Sequence, residues 1–131
     1  MDIYLDIYGT LIANASPIED RVALLEYVLD NFPGHVYWLT SYQANRIPDV
    51  LAREYDNQLI QRLDSEVQYV NSDIYKSDSI DFDGDFLWLD DNCSEADYYA
   101  LKTHNKLANF IHIIPNDPSS IKNALDIIKS R

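Results

Sequence analysis

Four short apolar runs, separated by segments of helical pattern, constrain this chain more than any other feature. They are DIYLDIY at 2 to 8, HVYWLT at 35 to 40, DFLWLDD at 85 to 91 and ANFIHIIP at 108 to 115. Their apolar character is nearly continuous rather than alternating, which is the mark of strands buried on both faces. Between the first two, Ser16 is expected to cap a helix, with Pro17 in the first helical position and Glu19 completing a Ser-x-x-Glu box. Ile18, Val22, Leu25, Leu29 and Phe32 fall on one face of that helix. A second helix is expected from about 45 to 55, with Pro48 in its first turn, and a third over 94 to 105. A closing helix is expected to be capped by Asp117, with Pro118 next, and to carry Ile121, Ala124, Leu125 and Ile128 at helical spacing. Residues 57 to 84 give only one short strand near SEVQYV, and loop. Strands alternating with amphipathic helices predict a single α/β domain over 1 to 131, a doubly wound three-layer α/β/α fold with a parallel sheet. Ligands of such folds bind beyond the carboxyl ends of the strands. The polar residues at those ends are Asp6, Thr40, and Asp90 with Asp91.

Composition narrows the function classes. With 47% hydrophobic and 24% charged residues the chain is an ordinary globular sequence, and no apolar run approaches the ~20 residues that span a bilayer. Cys93 is the single cysteine, so no internal disulfide or Cys-rich metal site can form, and the expected compartment is the cytoplasm. A net charge of −12 argues against nucleic-acid binding, which needs clustered Lys and Arg, but suits a basic protein partner. From Asp64 to Asp97 there are 11 acidic residues and one basic residue, Lys76.

The ordered series Asp6, Thr40, Lys76, Asp90-Asp91 resembles the four motifs of the haloacid dehalogenase-like (HAD) superfamily. IYLDIYGTLI matches an apolar strand ending D-x-D-G-T except at Tyr8; VYWLT supplies the strand-terminal Thr40; IYKSDSI supplies Lys76; and FLWLDD supplies the paired acids. Taken singly, each is an ordinary turn, cap or surface residue; the order across the whole chain carries the likeness. The resemblance implies a phosphohydrolase with Asp6 as nucleophile, Thr40 and Lys76 holding the phosphoryl group, and Thr10 and Asp90 in support. It also implies Mg²⁺ held by Asp6, the Tyr8 backbone carbonyl and Asp91. The physics asks for the same residue types: a carboxylate attacking a phosphoryl dianion needs a rigid strand end, a hard divalent cation and a lysine to relieve the repulsion.

Tyr8 departs from the pattern. The 2-haloacid dehalogenase branch also carries D-x-Y-G-T, but it works without metal and lacks the paired acids. Neither gap between motifs has room for a cap domain, so an open site is expected, suited to a bulky or macromolecular phosphorylated substrate, or covered by a second subunit. Three functions follow: a phosphohydrolase with weakened acid-base chemistry, an inactive HAD-fold domain binding a basic protein, or a dehalogenase-like enzyme. DFDGD at 81 to 85 imitates the first motif but follows no strand, and His35, His104 and His112 lack metal-ligand spacing, with His112 expected to alternate with core residues. The ten tyrosines are read as packing residues.

Overall fold

The computed structural model describes residues 1–70 and 74–131, so part of the loop expected over 57 to 84 lies outside the described residues. Five strands form one all-parallel sheet: β1 (Asp2–Leu5), β2 (Val36–Trp38), β3 (Gln68–Tyr69), β4 (Phe86–Asp90) and β5 (Phe110–His112). Their spatial order is β3-β2-β1-β4-β5. The chain therefore builds outward from β1 on one side, then crosses back and builds outward on the other. Each parallel step needs a crossover, and helices α1 (Ile18–Asn31), α2 (Ile47–Leu51), α3 (Asn57–Glu66), α4 (Glu95–Thr103) and α5 (Ser120–Lys129) supply them and close the chain.

The strands sort their side chains by parity. Ile3, Leu5, Leu87 and Leu89 join a core with α1, α2, α3 and α5, while Tyr4, Phe86 and Trp88 pack with Leu101 of α4 on the opposite face. Both faces of β1 and β4 are thus dry, which is why their sequences read as unbroken apolar runs. His112 is exposed between buried Ile111 and Ile113, as alternation requires. Among the described residues, no helix is long and apolar enough to cross a membrane.

Four local expectations need correction. Ser16 does not cap α1: the cap position falls to Pro17, without a side-chain hydrogen bond. The Ser16 hydroxyl is buried, donating to the Asp117 carbonyl (3.4 Å) and accepting from Ile121 N–H (3.3 Å), so it ties the start of α1 to that of α5. Asp117 does not cap α5 either. Its carboxylate accepts from Ser119 N–H, and the helix begins at Ser120. The region read as loop and one strand contains α3, capped by Asp56, whose carboxylate accepts from Leu59 N–H at 2.9 Å. The helix expected from 45 to 55 is shorter, a 3-10 turn at Ala44–Arg46 leading into α2 with Pro48 at its start.

The loop after β1 is braced from below by a buried cation. Arg21 donates to the carbonyls of Leu11 (2.8 Å) and Ser16 (3.2 Å) and to Glu54 (2.7 Å), and the other Glu54 oxygen accepts from Ala13 N–H. Ala13 has φ +53°, a left-handed conformation that a non-glycine residue holds only with such support. Tyr55 donates its hydroxyl to the same Leu11 carbonyl, and burial pushes that phenol up to about 12, so it remains a donor at neutral pH.

Arg21→Met removes three donated bonds and leaves the Glu54 carboxylate without its counter-charge, whereas Tyr55→Phe removes one bond to a carbonyl that Arg21 still satisfies. Urea denaturation should show a loss of about 2–4 kcal/mol for the first and about 0.5–1.5 kcal/mol for the second. Equal losses would contradict this division of labour.

Candidate functional site

At the carboxyl edge of the sheet, the chain reverses its direction of building at β1, and β1 and β4 are direct neighbours there. Doubly wound sheets hold ligands where the strand order reverses, because the loops leaving adjacent strands diverge and open a crevice. Asp6 follows the last residue of β1, and its N–H donates to the Leu89 carbonyl at 3.0 Å, so the ladder continues to the point where the carboxylate emerges. Asp90 ends β4 and is held by Ile113 N–H donating to its carbonyl at 2.9 Å. Both side chains are buried.

Lys76 joins them. Its ammonium donates to Asp6 Oδ1 at 2.8 Å and to Asp90 Oδ2 at 2.6 Å. The other Asp6 oxygen accepts from the Thr10 hydroxyl at 3.1 Å, so the Asp6 carboxylate is fixed in rotation as well as in place. Asp90 also accepts from Trp88 Nε1 (3.2 Å) and from Asn92 N–H (3.1 Å). Asp91 lies beside the pair, and Asp6, Asp90 and Asp91 can each offer an oxygen within 4.8 Å of the others.

The electrostatics follow from crowding. Burial raises the Asp6 carboxyl above its ordinary range, and the Asp91 charge adds to this while Lys76 opposes it. Asp90 is pushed up to about 8, first by burial and then by the Asp6 charge, against the pull of Lys76. Burial alone would lower the Lys76 ammonium, but the two carboxylates outweigh it and hold the group above its usual range. With all three carboxyls ionised, the one ammonium would leave two negative charges uncompensated, so the cluster favours uptake of positive charge, as a proton or as a cation.

Gly9 makes room for this arrangement. It has φ +79°, and a Cβ there would collide with Asp91 Oδ2. Around it the chain turns tightly: Gly9 N–H donates to the Ile12 carbonyl and Ile12 N–H to the Ile7 carbonyl. That bridge uses the peptide groups flanking Tyr8 and leaves Tyr8's own carbonyl out of it. The Tyr8 side chain is 59% exposed on the wall of the cleft. Thr40, at the end of β2, is buried, and its hydroxyl oxygen accepts from Tyr42 N–H at 3.3 Å, which leaves its O–H to donate elsewhere. All seven residues singled out in the sequence thus lie in or against one region, and six of them, with Thr10 packed behind Asp6, line an open cleft of about 690 Å³.

Sequence reasoning missed the residues that position Lys76. Buried Asp97 accepts from Ser77 N–H at 3.0 Å, anchoring the 3-10 turn Lys76–Ser79, while Ser94 accepts from Asp97 N–H at the start of α4. The Ser-x-x-Asp spacing of 94 to 97 was a visible capping signal. Nothing local told that the acid would reach across to the lysine turn.

Gly9→Ala should displace Asp91 and strain the left-handed turn. The expected result is a folded protein destabilised by about 1–3 kcal/mol. A thermal melt indistinguishable from that of the wild type would show that Asp91 need not approach so closely.

No protein-family model matches the chain, no curated protein matches it, and no solved structure matches it.

Proposed function

We propose that this protein is a HAD-like, Mg²⁺-dependent phosphohydrolase that works through a phosphorylated Asp6. The observation that carries the reading is Lys76, shared between Asp6 and Asp90 across the ends of two adjacent parallel strands, with Asp91 alongside. A salt bridge serving structure alone has no need of a third carboxylate in an open cleft.

The donor set suits a hard divalent cation. Asp6 and Asp91, with the Tyr8 carbonyl, would hold it, and Asp90 would support the set through its own bonds to Lys76, Trp88 and Asn92. Bound there, Mg²⁺ would neutralise charge between carboxylate and phosphoryl oxygens. The chain's own groups do the rest. Thr10 and Lys76 fix the Asp6 carboxylate for in-line attack. The Thr40 hydroxyl donates to a phosphoryl oxygen, and Lys76 offsets the charge that develops there. As the bond from Asp6 to phosphorus forms, the ester bond breaks and its electron pair leaves on the ester oxygen. Water then displaces Asp6 from phosphorus and gives up its proton to solvent.

Tyr8 sets the limit. Phosphatase relatives of the HAD type carry a carboxylic acid two residues after the nucleophile, to protonate the leaving oxygen and then to activate water. Such help is typically worth ~10² to 10⁴ in rate. A phenol of pKa ~10 is a poor base at neutral pH, and the longer side chain places its oxygen elsewhere. The site is therefore a slow one, best with leaving groups that depart without a proton.

Asp91→Asn should abolish Mg²⁺ binding while the fold is kept, since removing one of three crowded carboxylates relieves repulsion. Unchanged affinity by calorimetry would remove Asp91 from the metal site. Lys76→Ala should weaken vanadate binding; unchanged binding would confine Lys76 to pairing Asp6 with Asp90.

Tyr8→Asp should raise hydrolysis of alkyl phosphates more than that of aryl phosphates, by ~10² or more. Ordinary enzymic rates on alkyl phosphates in the wild type would mean that another acid serves. If neither protein binds Mg²⁺ or cleaves a phosphoester, the non-catalytic binding domain for a basic protein takes over.

A further inference from the structure

The cleft has a polar floor and an aromatic rim. Tyr8, Tyr69 and Tyr75 line it at 59%, 39% and 45% exposure, and Ile74 joins them at 81%. These are four of the ten large hydrophobic side chains exposed on the described surface, gathered at one mouth; the other six, Tyr98 and Tyr99 among them, lie outside the cleft. The other tyrosines include Tyr4 and Tyr55, which are core residues, and packing accounts for them. It does not account for three rings standing in solvent around a carboxylate cluster.

Each ring is placed by an element that also builds the floor. Tyr8 follows Asp6 by two residues. Tyr69 ends β3 and donates its hydroxyl to the Tyr42 carbonyl at 3.2 Å, on the same turn whose N–H bonds Thr40. Tyr75 precedes Lys76, and its N–H donates to the Asp78 carboxylate at 3.1 Å. A group attached to a phosphoryl held at the floor shares the cleft with these rings.

Two requirements then intersect. The absence of an acid at position 8 demands a leaving group stable as an anion, which admits phenolates (pKa ~10) and acyl phosphates but not alkoxides. The rim demands a flat apolar group to stack on or meet edgewise. Acyl phosphates of small acids meet the first requirement and not the second; nucleoside monophosphates, esters of a sugar alcohol, meet the second and not the first. We propose that the substrate is a phosphate monoester of an aromatic hydroxyl, its ring held among Tyr8, Tyr69 and Tyr75. The proposal rests on the phosphohydrolase reading and names its substrate class. In the reaction the bond from Asp6 to phosphorus forms, the aryl oxygen–phosphorus bond breaks, and the phenolate leaves with the electron pair and takes its proton from solvent. Water releases inorganic phosphate from Asp6.

Binding tests this without turnover. With Mg²⁺ present, phenylphosphonate and methylphosphonate are titrated calorimetrically into the wild type, Tyr69→Ala, Tyr75→Ala and the matching Phe variants. Phenylphosphonate should bind the wild type roughly tenfold tighter or more, each Ala variant should cut that ratio by about 2- to 10-fold, and each Phe variant, which keeps a ring, should preserve it. Equal affinity of the two phosphonates in the wild type, or a ratio untouched in both Ala variants, overturns the aryl assignment and leaves the phosphohydrolase reading standing. Binding of neither phosphonate overturns both.

Discussion

The rest of the site depends on one ammonium lying between two carboxylates that the sheet forces together. Parallel pairing of β1 with β4 puts Asp6 and Asp90 at adjacent strand ends, and the register leaves neither free to move away. Two buried acids so placed repel one another, and each has lost part of its hydration. Lys76 answers both costs at once by bonding each at 2.6–2.8 Å, and Trp88 and Asn92 satisfy what remains of Asp90. The compensation is incomplete: burial and the Asp6 charge still leave Asp90 pushed up to about 8. A site in this condition readily takes up positive charge, as a proton or as a cation.

Much of this could be read from the sequence, for a reason specific to parallel sheets. Strands buried on both faces must be apolar throughout, so a polar residue can stand only at their ends, and Asp6, Thr40, Asp90 and Asp91 stood out against Leu, Ile, Val and Trp. Lys76 stood out differently, as one base among acids. The second layer of the site was not readable, because Asp97 and Tyr69 act on partners far away in sequence, and Trp88, though only two residues from the Asp90 it bonds, reads as one more apolar residue of its strand. Tyrosine is the clearest case. The same side chain packs at position 4 and faces solvent at position 8, and only the place where β1 ends decides between them.

Local rules failed where a tertiary partner competed. Ser16-Pro17-x-Glu19 carries every feature of a capped helix start, yet the Ser16 hydroxyl bonds α5 instead. A buried hydroxyl bridging two helices satisfies groups that water cannot reach, whereas the first turn of α1 has Glu19 and Asp20 near its N–H groups without it. Helix α3 escaped notice for the opposite reason. Only Leu59, Ile60 and Leu63 of its ten residues are buried, so a narrow apolar stripe was lost among polar neighbours.

The loop after β1 joins these threads. Within five residues it must present Asp6, bury Ile7, turn at Gly9 so that Asp91 can approach, and return Thr10 to hold the Asp6 carboxylate. Tyr8 is the one position among them whose side chain is left to the cleft, so its identity can change without disturbing the geometry around it. An acid and a phenol at that point would share the same backbone and the same route for a metal ligand through the carbonyl, and differ only in the chemistry of the tip. In the phosphohydrolase we propose, holding a phosphoryl group would be distributed over the strand ends of β1, β2 and β4 and the Lys76 turn, while completing its hydrolysis would hang on a single exposed side chain.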